Sequence, residues 1–330
     1  MTLKKAGLVT LVVVLVATPA LAHVPSFPDD NTTPERAVEV PNPVKSWSFY
    51  DRLDRGQVRY YRFSLLPGER LRVGTFTPQD NQFSPSVVLM SPSLNDSDAV
   101  PDGITVPEGM GTEVIEGTRP ASASYELFAP SANYHTVDVD RPVDGYRTYL
   151  VAVYEPANRS GQLGVTIGYT ESFSTAEYLT VPFDLVQTHL WEGQHPLVAV
   201  GPFALAVVGG AVALSRRRSD WRAQPARIGL AGAGLLIAAT GVNTAVQTVL
   251  ALAETGLTAG ALVTAAFVVV PLLCGGWVLR VALREDRLAR VTRIGLVVAG
   301  AVSLVSWAGF IAGPVVVLGV AVLPGRFVAE

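Results

Sequence analysis

At 330 residues, 49% hydrophobic and 16% charged, with a mean hydropathy of +0.34, the chain is too apolar for one water-soluble globule. It is also too polar for a bare bundle of membrane helices. Acidic residues outnumber basic ones 23 to 12 over 23–192, and basic outnumber acidic 11 to 5 over 193–330. An acidic outer half repels phosphate, which excludes nucleic acid as a partner. The single cysteine, Cys274, excludes a disulfide framework and a cysteine-based zinc site.

Residues 1–22 read as a cleaved secretory signal: Lys4 and Lys5, an apolar run from Ala6 to Ala17, then an Ala-x-Ala ending at Ala22. Cleavage there makes His23 the mature N-terminus. A terminal histidine offers its α-amine and ring Nδ1 to one copper ion, and His135 is the only other histidine in the body of the outer domain. His23 and His135 are therefore the candidate metal ligands, with His189 and His195 as stations to which copper could pass.

Residues 23–175 alternate in the manner of strands. Strands are expected over Ser46–Tyr50, Gln57–Ser64, Arg70–Thr77, Ser86–Met90, Val114–Glu116, Tyr134–Val139, Thr148–Tyr154 and Leu163–Tyr169. Turn pairs such as Pro67-Gly68, Asp102-Gly103 and Ser160-Gly161 separate them. Val24–Pro43, rich in Pro, Asp, Asn and Thr, reads as an extended arm. Eight short strands without a long helix predict an all-β sandwich of jelly-roll type. Two acidic stretches have the flavour of calcium loops, Asn95–Asp98 with Asp102, and Asp138, Asp140 and Asp144. Three sequons, at Asn31, Asn95 and Asn158, fall in expected loops and are the glycosylation candidates.

From Gly56 the run G-x-V-x-Y-Y-x-F-x-L-x-P-G-E-x-L-x-V resembles the bacterial pre-peptidase C-terminal type of β-sandwich, an accessory module of secreted proteins. Over most of the mature chain, KSWSFYDRLDRGQVRYYRF, YELFAPSANYH, YLVAVYEPANRSGQLGVTIGYTESFS and LWEGQHP resemble an uncharacterised family of signal-bearing membrane proteins of archaea and fungi. That resemblance implies the architecture and no activity.

Residues 176–196 form an amphipathic join. Tyr178, Leu179, Phe183, Leu185, Val186, Leu190 and Trp191 lie among Glu177, Asp184, Gln187 and His189, a composition suited to a bilayer surface. Four apolar stretches follow, 197–215, 228–253, 257–279 and 294–323, each long enough to cross a hydrocarbon core. Arg216, Arg217, Arg218, Arg222 and Arg227 lie between the first two; Arg280, Arg284, Arg287, Arg290 and Arg293 lie between the last two. The positive-inside rule puts these loops in the cytoplasm and the β-domain outside, in a multi-pass cell-membrane protein. Gly313-Pro314 is expected to break or kink the last span. Thr240, Asn243, Thr244 and Gln247 fall on one helix face; such groups can mark a pathway or ligand site but more often hydrogen-bond between helices. Gly209-Gly210, Gly275-Gly276 and Gly309-x-x-x-Gly313 suit close helix packing.

There is no G-x-S-x-G elbow, no His-Glu-x-x-His motif and no Walker loop. The expectation is a membrane-anchored extracytoplasmic binding protein without catalytic activity. Its partners are the lipid bilayer and a cell-surface ligand or another membrane protein. Copper binding through His23, and service as an accessory subunit of a membrane complex, are the alternatives.

Overall fold

The computed structural model describes residues 23–78, 81–95, 99–216, 224–284 and 288–323. The expected signal peptide, Arg217, Arg218, Arg222, Arg287 and the Asp96–Asp98 stretch lie outside the described residues. The chain divides into two compact units. Of the described residues, one holds 23–126 together with Ala132–Glu177, and the other holds Leu127–Ser131 and those from Tyr178 onward.

The first unit is a two-sheet sandwich of eleven strands: β1 (Val24–Ser26), β2 (Val38–Glu39), β3 (Trp47–Leu53), β4 (Arg59–Leu65), β5 (Arg70–Thr77), β6 (Ser86–Ser91), β7 (Gly111–Ile115), β8 (Ser124–Glu126), β9 (Ser131–Pro142), β10 (Arg147–Tyr154) and β11 (Gly161–Ile167). One sheet runs β1-β3-β11-β5-β9-β8 and the other β2-β4-β10-β6-β7. All eight expected strands are present. The three additional ones, β1, β2 and β8, are two or three residues long. β1 and β2 pair in parallel from inside the proline-rich arm, where too few residues alternate for a period of two to register.

Alternation sets the core. Tyr149, Val151 and Val153 of β10 meet Leu163, Val165 and Ile167 of β11 and Phe49, Leu71 and Val73 between the sheets. The opposite face of β10, Leu150, Ala152 and Tyr154, packs with Tyr60, Val88 and Met90 under Ile104, Val106 and Met110. A charged cluster is buried with them. Arg59 Nε lies 3.0 Å from Asp51 Oδ1, and the Tyr61 hydroxyl donates to Asp51 Oδ2 at 3.4 Å. Burial pushes the Asp51 carboxyl above its ordinary pKa, against the pull of Arg59.

The second unit is helical: α1 (Thr175–Trp191), α2 (Pro196–Ala199), α3 (Gly201–Ser215), α4 (Pro225–Thr255), α5 (Gly260–Arg284), α6 (Arg290–Val305) and α7 (Ala312–Val322), with α1 starting in the sandwich unit. A capping box opens α1. The Glu177 amide donates to Ser174 Oγ at 3.3 Å and the Ser174 amide to Glu177 Oε2 at 2.6 Å, while Lys45 Nζ pairs with the same carboxylate. α1 does not lie as a free surface segment along its length. Val181, Pro182, Thr188 and His189 are buried, and the Tyr178 hydroxyl donates to the Leu304 carbonyl at 2.7 Å.

The expectation of four spans is overturned: among the described residues two helices, α4 and α5, are long and apolar enough to cross a membrane. At about 1.5 Å per residue they measure roughly 46 and 37 Å, beyond a hydrocarbon core of about 30 Å. The first expected span is broken at Val200, leaving α3 with 15 residues. The fourth is broken as expected, but ahead of Gly313-Pro314 rather than at it. It reverses over Ser306–Ile311, and Arg293, near the start of α6, donates to the Ala321 carbonyl at the end of α7 at 3.0 Å. Pro314 sits in the first turn of α7, where a missing N–H costs nothing. Unbroken hydropathy ran α6, the reversal and α7 together because every residue from Ser306 to Ile311 is apolar or small.

α4 and α5 touch backbone to backbone. A Cβ on Gly275 would lie 2.5 Å from the Ala238 nitrogen and 2.6 Å from the Gly234 carbonyl oxygen, so only glycine fits. The helical core is correspondingly small-residued, with Ala231, Ala233, Ala282, Ala299, Ala308 and Ala321 around Ile237 and Val278.

Candidate functional site

The helical unit encloses a cavity of about 100 Å³. Its walls are mostly aromatic and aliphatic: Phe128, Phe203, Phe267, Trp307, Phe310 and Leu185. One side is the polar face of α4 expected from the sequence, Thr240, Asn243, Thr244 and Gln247, joined by His189, Thr264 and Ser306. All these residues belong to the one unit.

Most of the polar groups are spent on the protein itself. Gln247 bonds across helices, accepting from Gln194 Nε2 at 2.9 Å and donating to the Val198 carbonyl at 3.1 Å. Thr240 Oγ1 donates to the Leu236 carbonyl at 3.2 Å and accepts from the Gly309 amide at 2.9 Å. Thr244 donates to the Thr240 carbonyl, Thr264 to the Leu127 carbonyl and Ser306 to the Val302 carbonyl. His189, buried, pairs through Nδ1 with Glu192 Oε2 at 2.9 Å, which leaves Nε2 as its second polar atom. Asn243 differs. Its Oδ1 is fully buried and meets no donor among the described residues. An orphaned amide oxygen in such surroundings costs about 1–3 kcal/mol unless a guest satisfies it.

The reversal between α6 and α7 forms one wall under backbone strain. Trp307, Phe310 and Ile311 have φ of 50°, 53° and 62°, left-handed values that are rare for large side chains and an outlier for a β-branched one. Side-chain contacts hold them there. The Trp307 indole N–H donates to the Tyr178 carbonyl at 2.9 Å, and its ring lies 4.9 Å from Tyr178 and 5.3 Å from Phe128. The Phe310 ring lies 5.4 Å from Phe183 and 5.0 Å from Phe203. Strain held by surrounding contacts is a common mark of a functional site.

The α4 face expected from helical spacing divides in its use. Gln247 and Thr240 do bond between segments, whereas Asn243 faces the cavity. The aromatic reversal, His189 and Leu127–Pro130 went unrecognised as lining. Trp307-Ala308-Gly309-Phe310 ahead of Gly313-Pro314 was the available signal, a turn composition inside an apolar run.

The other candidate residues lie elsewhere. In the sandwich unit His23 Nδ1, the atom a copper brace would use, is hydrogen-bonded to Ser46 Oγ. Burial, then the nearby His135 and Arg72, lower its pKa to about 4. His135 has an exposed ring edge, 5.8 Å from Phe76 between centroids. Its pKa is lowered by loss of surrounding water, with Asp138 opposing and Arg72 assisting. His195 accepts from the Leu197 amide as the cap of α2. Among the described residues no cluster of three or more His, Cys, Asp or Glu is placed to hold a metal. Asp138 and Asp140 are not a calcium loop: Arg72 bridges both, at 3.1 and 2.7 Å, and Arg70 lies 2.7 Å from Asp140. Asn31, a glycosylation candidate, is fully buried and donates to the Tyr60 carbonyl, which leaves a glycan no room on the folded chain. Asn95 and Asn158 are exposed.

No protein-family model matches the chain, and no curated protein sequence matches it significantly. The roles of these residues are accordingly argued from geometry alone.

Proposed function

We propose that this is a membrane-anchored, non-catalytic binding protein, with the sandwich unit outside the cytoplasm and a small neutral guest taken up in the helical unit. The observation that carries the reading is Asn243, which lines an aromatic-walled cavity and whose buried Oδ1 has no partner among the described residues. An amide there suits a molecule with an apolar body and one hydroxyl or amide group. Two features support the membrane setting. Large apolar side chains such as Leu205, Val249, Leu257, Leu262 and Leu273 face outward from the helical unit. The described arginines 216, 227, 280, 284, 290 and 293 gather at the helix ends that the positive-inside rule assigns to the cytoplasm.

Trp307 reports on the site. Acrylamide, a small neutral amide, is expected to quench the Trp307 part of the fluorescence saturably, obtained as the difference from Trp307→Phe. Asn243→Leu should abolish saturation, and iodide should not reproduce it. Linear quenching unaffected by Asn243→Leu would reject the site.

A second reading, copper on His23 and His135, is favoured by one observation: His135 lies near enough to His23 to help lower its pKa, and burial lowers the pKa of both imidazoles. It requires Ser46 to release Nδ1. Metal content and N-terminal sequence of the mature protein decide it. A chain that starts elsewhere, or stays metal-free after copper exposure, ends the copper reading.

A further inference from the structure

The helical unit has a second concavity, an open groove of about 420 Å³ between α3, α4 and α5. Gly210, Ala213, Leu214, Leu235, Gly276, Leu279 and Leu283 make it apolar, and Arg280 and Arg284 line it with them. The two arginines are four residues apart on α5 and so share a face of the helix. Both are exposed, and among the described residues neither guanidinium has a hydrogen bond or an ion pair. Most arginines of the sandwich unit, by contrast, are paired with carboxylates. Gly276 opens the groove further: a Cβ added there would meet nothing within 4 Å, although its neighbour Gly275 is wedged against α4.

We propose that this groove binds one anionic phospholipid, with an acyl chain along the glycine-lined trough and the phosphodiester between Arg280 and Arg284. The argument is charge complementarity. Two unpaired forks one helical turn apart match the oxygens of a phosphate, and an apolar trough beside them matches a hydrocarbon chain rather than water. Free phosphate would use the arginines and leave the trough empty, which is why the lipid is the occupant. The inference rests on the membrane reading of α4 and α5 and is independent of the Asn243 cavity.

The test is native mass spectrometry of the full chain in mild detergent, titrated with phosphatidylglycerol, phosphatidylcholine and inorganic phosphate. One phosphatidylglycerol should be retained in preference to phosphatidylcholine, and inorganic phosphate should not displace it. At about fivefold per arginine near an anionic headgroup, R280Q/R284Q should weaken retention about 25-fold. R290Q, which lies outside the groove, should not. Gly276→Leu, whose Cβ would meet nothing within 4 Å and which leaves both arginines, should also release the lipid. Equal retention of the two lipids, or indifference to R280Q/R284Q and Gly276→Leu alike, overturns the groove while leaving the membrane reading intact. A chain that stays dispersed and binds no lipid without detergent overturns the membrane reading itself.

Discussion

The two units solve packing in opposite ways. The sandwich hides its largest side chains, with Tyr60, Tyr61, Phe49 and Phe83 all nearly inaccessible, and few large apolar groups remain outside. The helical unit hides alanine and glycine and turns leucine and valine outward. In water the gain from burial scales with apolar area, so large residues go inside. Where the surroundings are themselves hydrocarbon that gain vanishes, and close backbone approach with a few hydrogen bonds decides association. The same contrast governs charge. The sandwich buries a paired Arg59 and Asp51, while the helical unit leaves Arg280 and Arg284 at a groove.

Native-state hydrogen exchange on the full chain reads the two units separately and can break this contrast. The largest effect belongs to Arg59→Leu, which strands the buried Asp51 carboxylate. It should destabilise sandwich amides by ~3–5 kcal/mol and leave α4 and α5 amides unchanged. Acid comes next. His23 binds a proton below about 6.5 when unfolded but only below about 4 when folded, so sandwich stability is full above pH 6.5 and falls as the pH drops to 4. The loss is about 3 kcal/mol at most, and His23→Gln should flatten it. In the helical unit, Gly275→Ala should cost about 1–3 kcal/mol by forcing α4 from α5, whereas Gly276→Ala, one residue on, should stay within about 0.5 kcal/mol. The smallest effect is Ser174→Ala, which removes one side of the capping box and should fray α1 by about 1 kcal/mol. A helical unit that responded to acid like the sandwich, or a sandwich indifferent to Arg59, would dissolve the distinction.

What could be read from the residues follows the same division. Period-two alternation recovered every long strand, since Leu163, Val165 and Ile167 must face one core. β1 and β2 escaped because two or three residues carry no period. Hydropathy found the apolar stretches but not their breaks, because a reversal built from Ala, Gly, Trp, Phe and Ile is as apolar as the helices beside it. Of the site, α4 declared its polar row by helical spacing. The orphaning of Asn243 was invisible, since it depends on which neighbours satisfy Thr240 and Gln247. Asn31 shows the converse: a sequon is a local pattern, and burial is not.

On the proposed membrane reading of α4 and α5, the reversal at Ser306–Ile311 has a consequence for biogenesis. α7, at 11 residues or about 16 Å, is half the length an insertion machinery recognises as a span, and its Gly309–Gly313 approach is shaped against Ile237 of α4. It must therefore be recruited by helices already in place rather than threaded in by itself. The strained wall of the cavity is then the last part to form. A chain whose α4 and α5 have mispaired would carry an unfinished hairpin, exposing polar backbone to lipid, and membrane quality control could recognise it before the site ever closed.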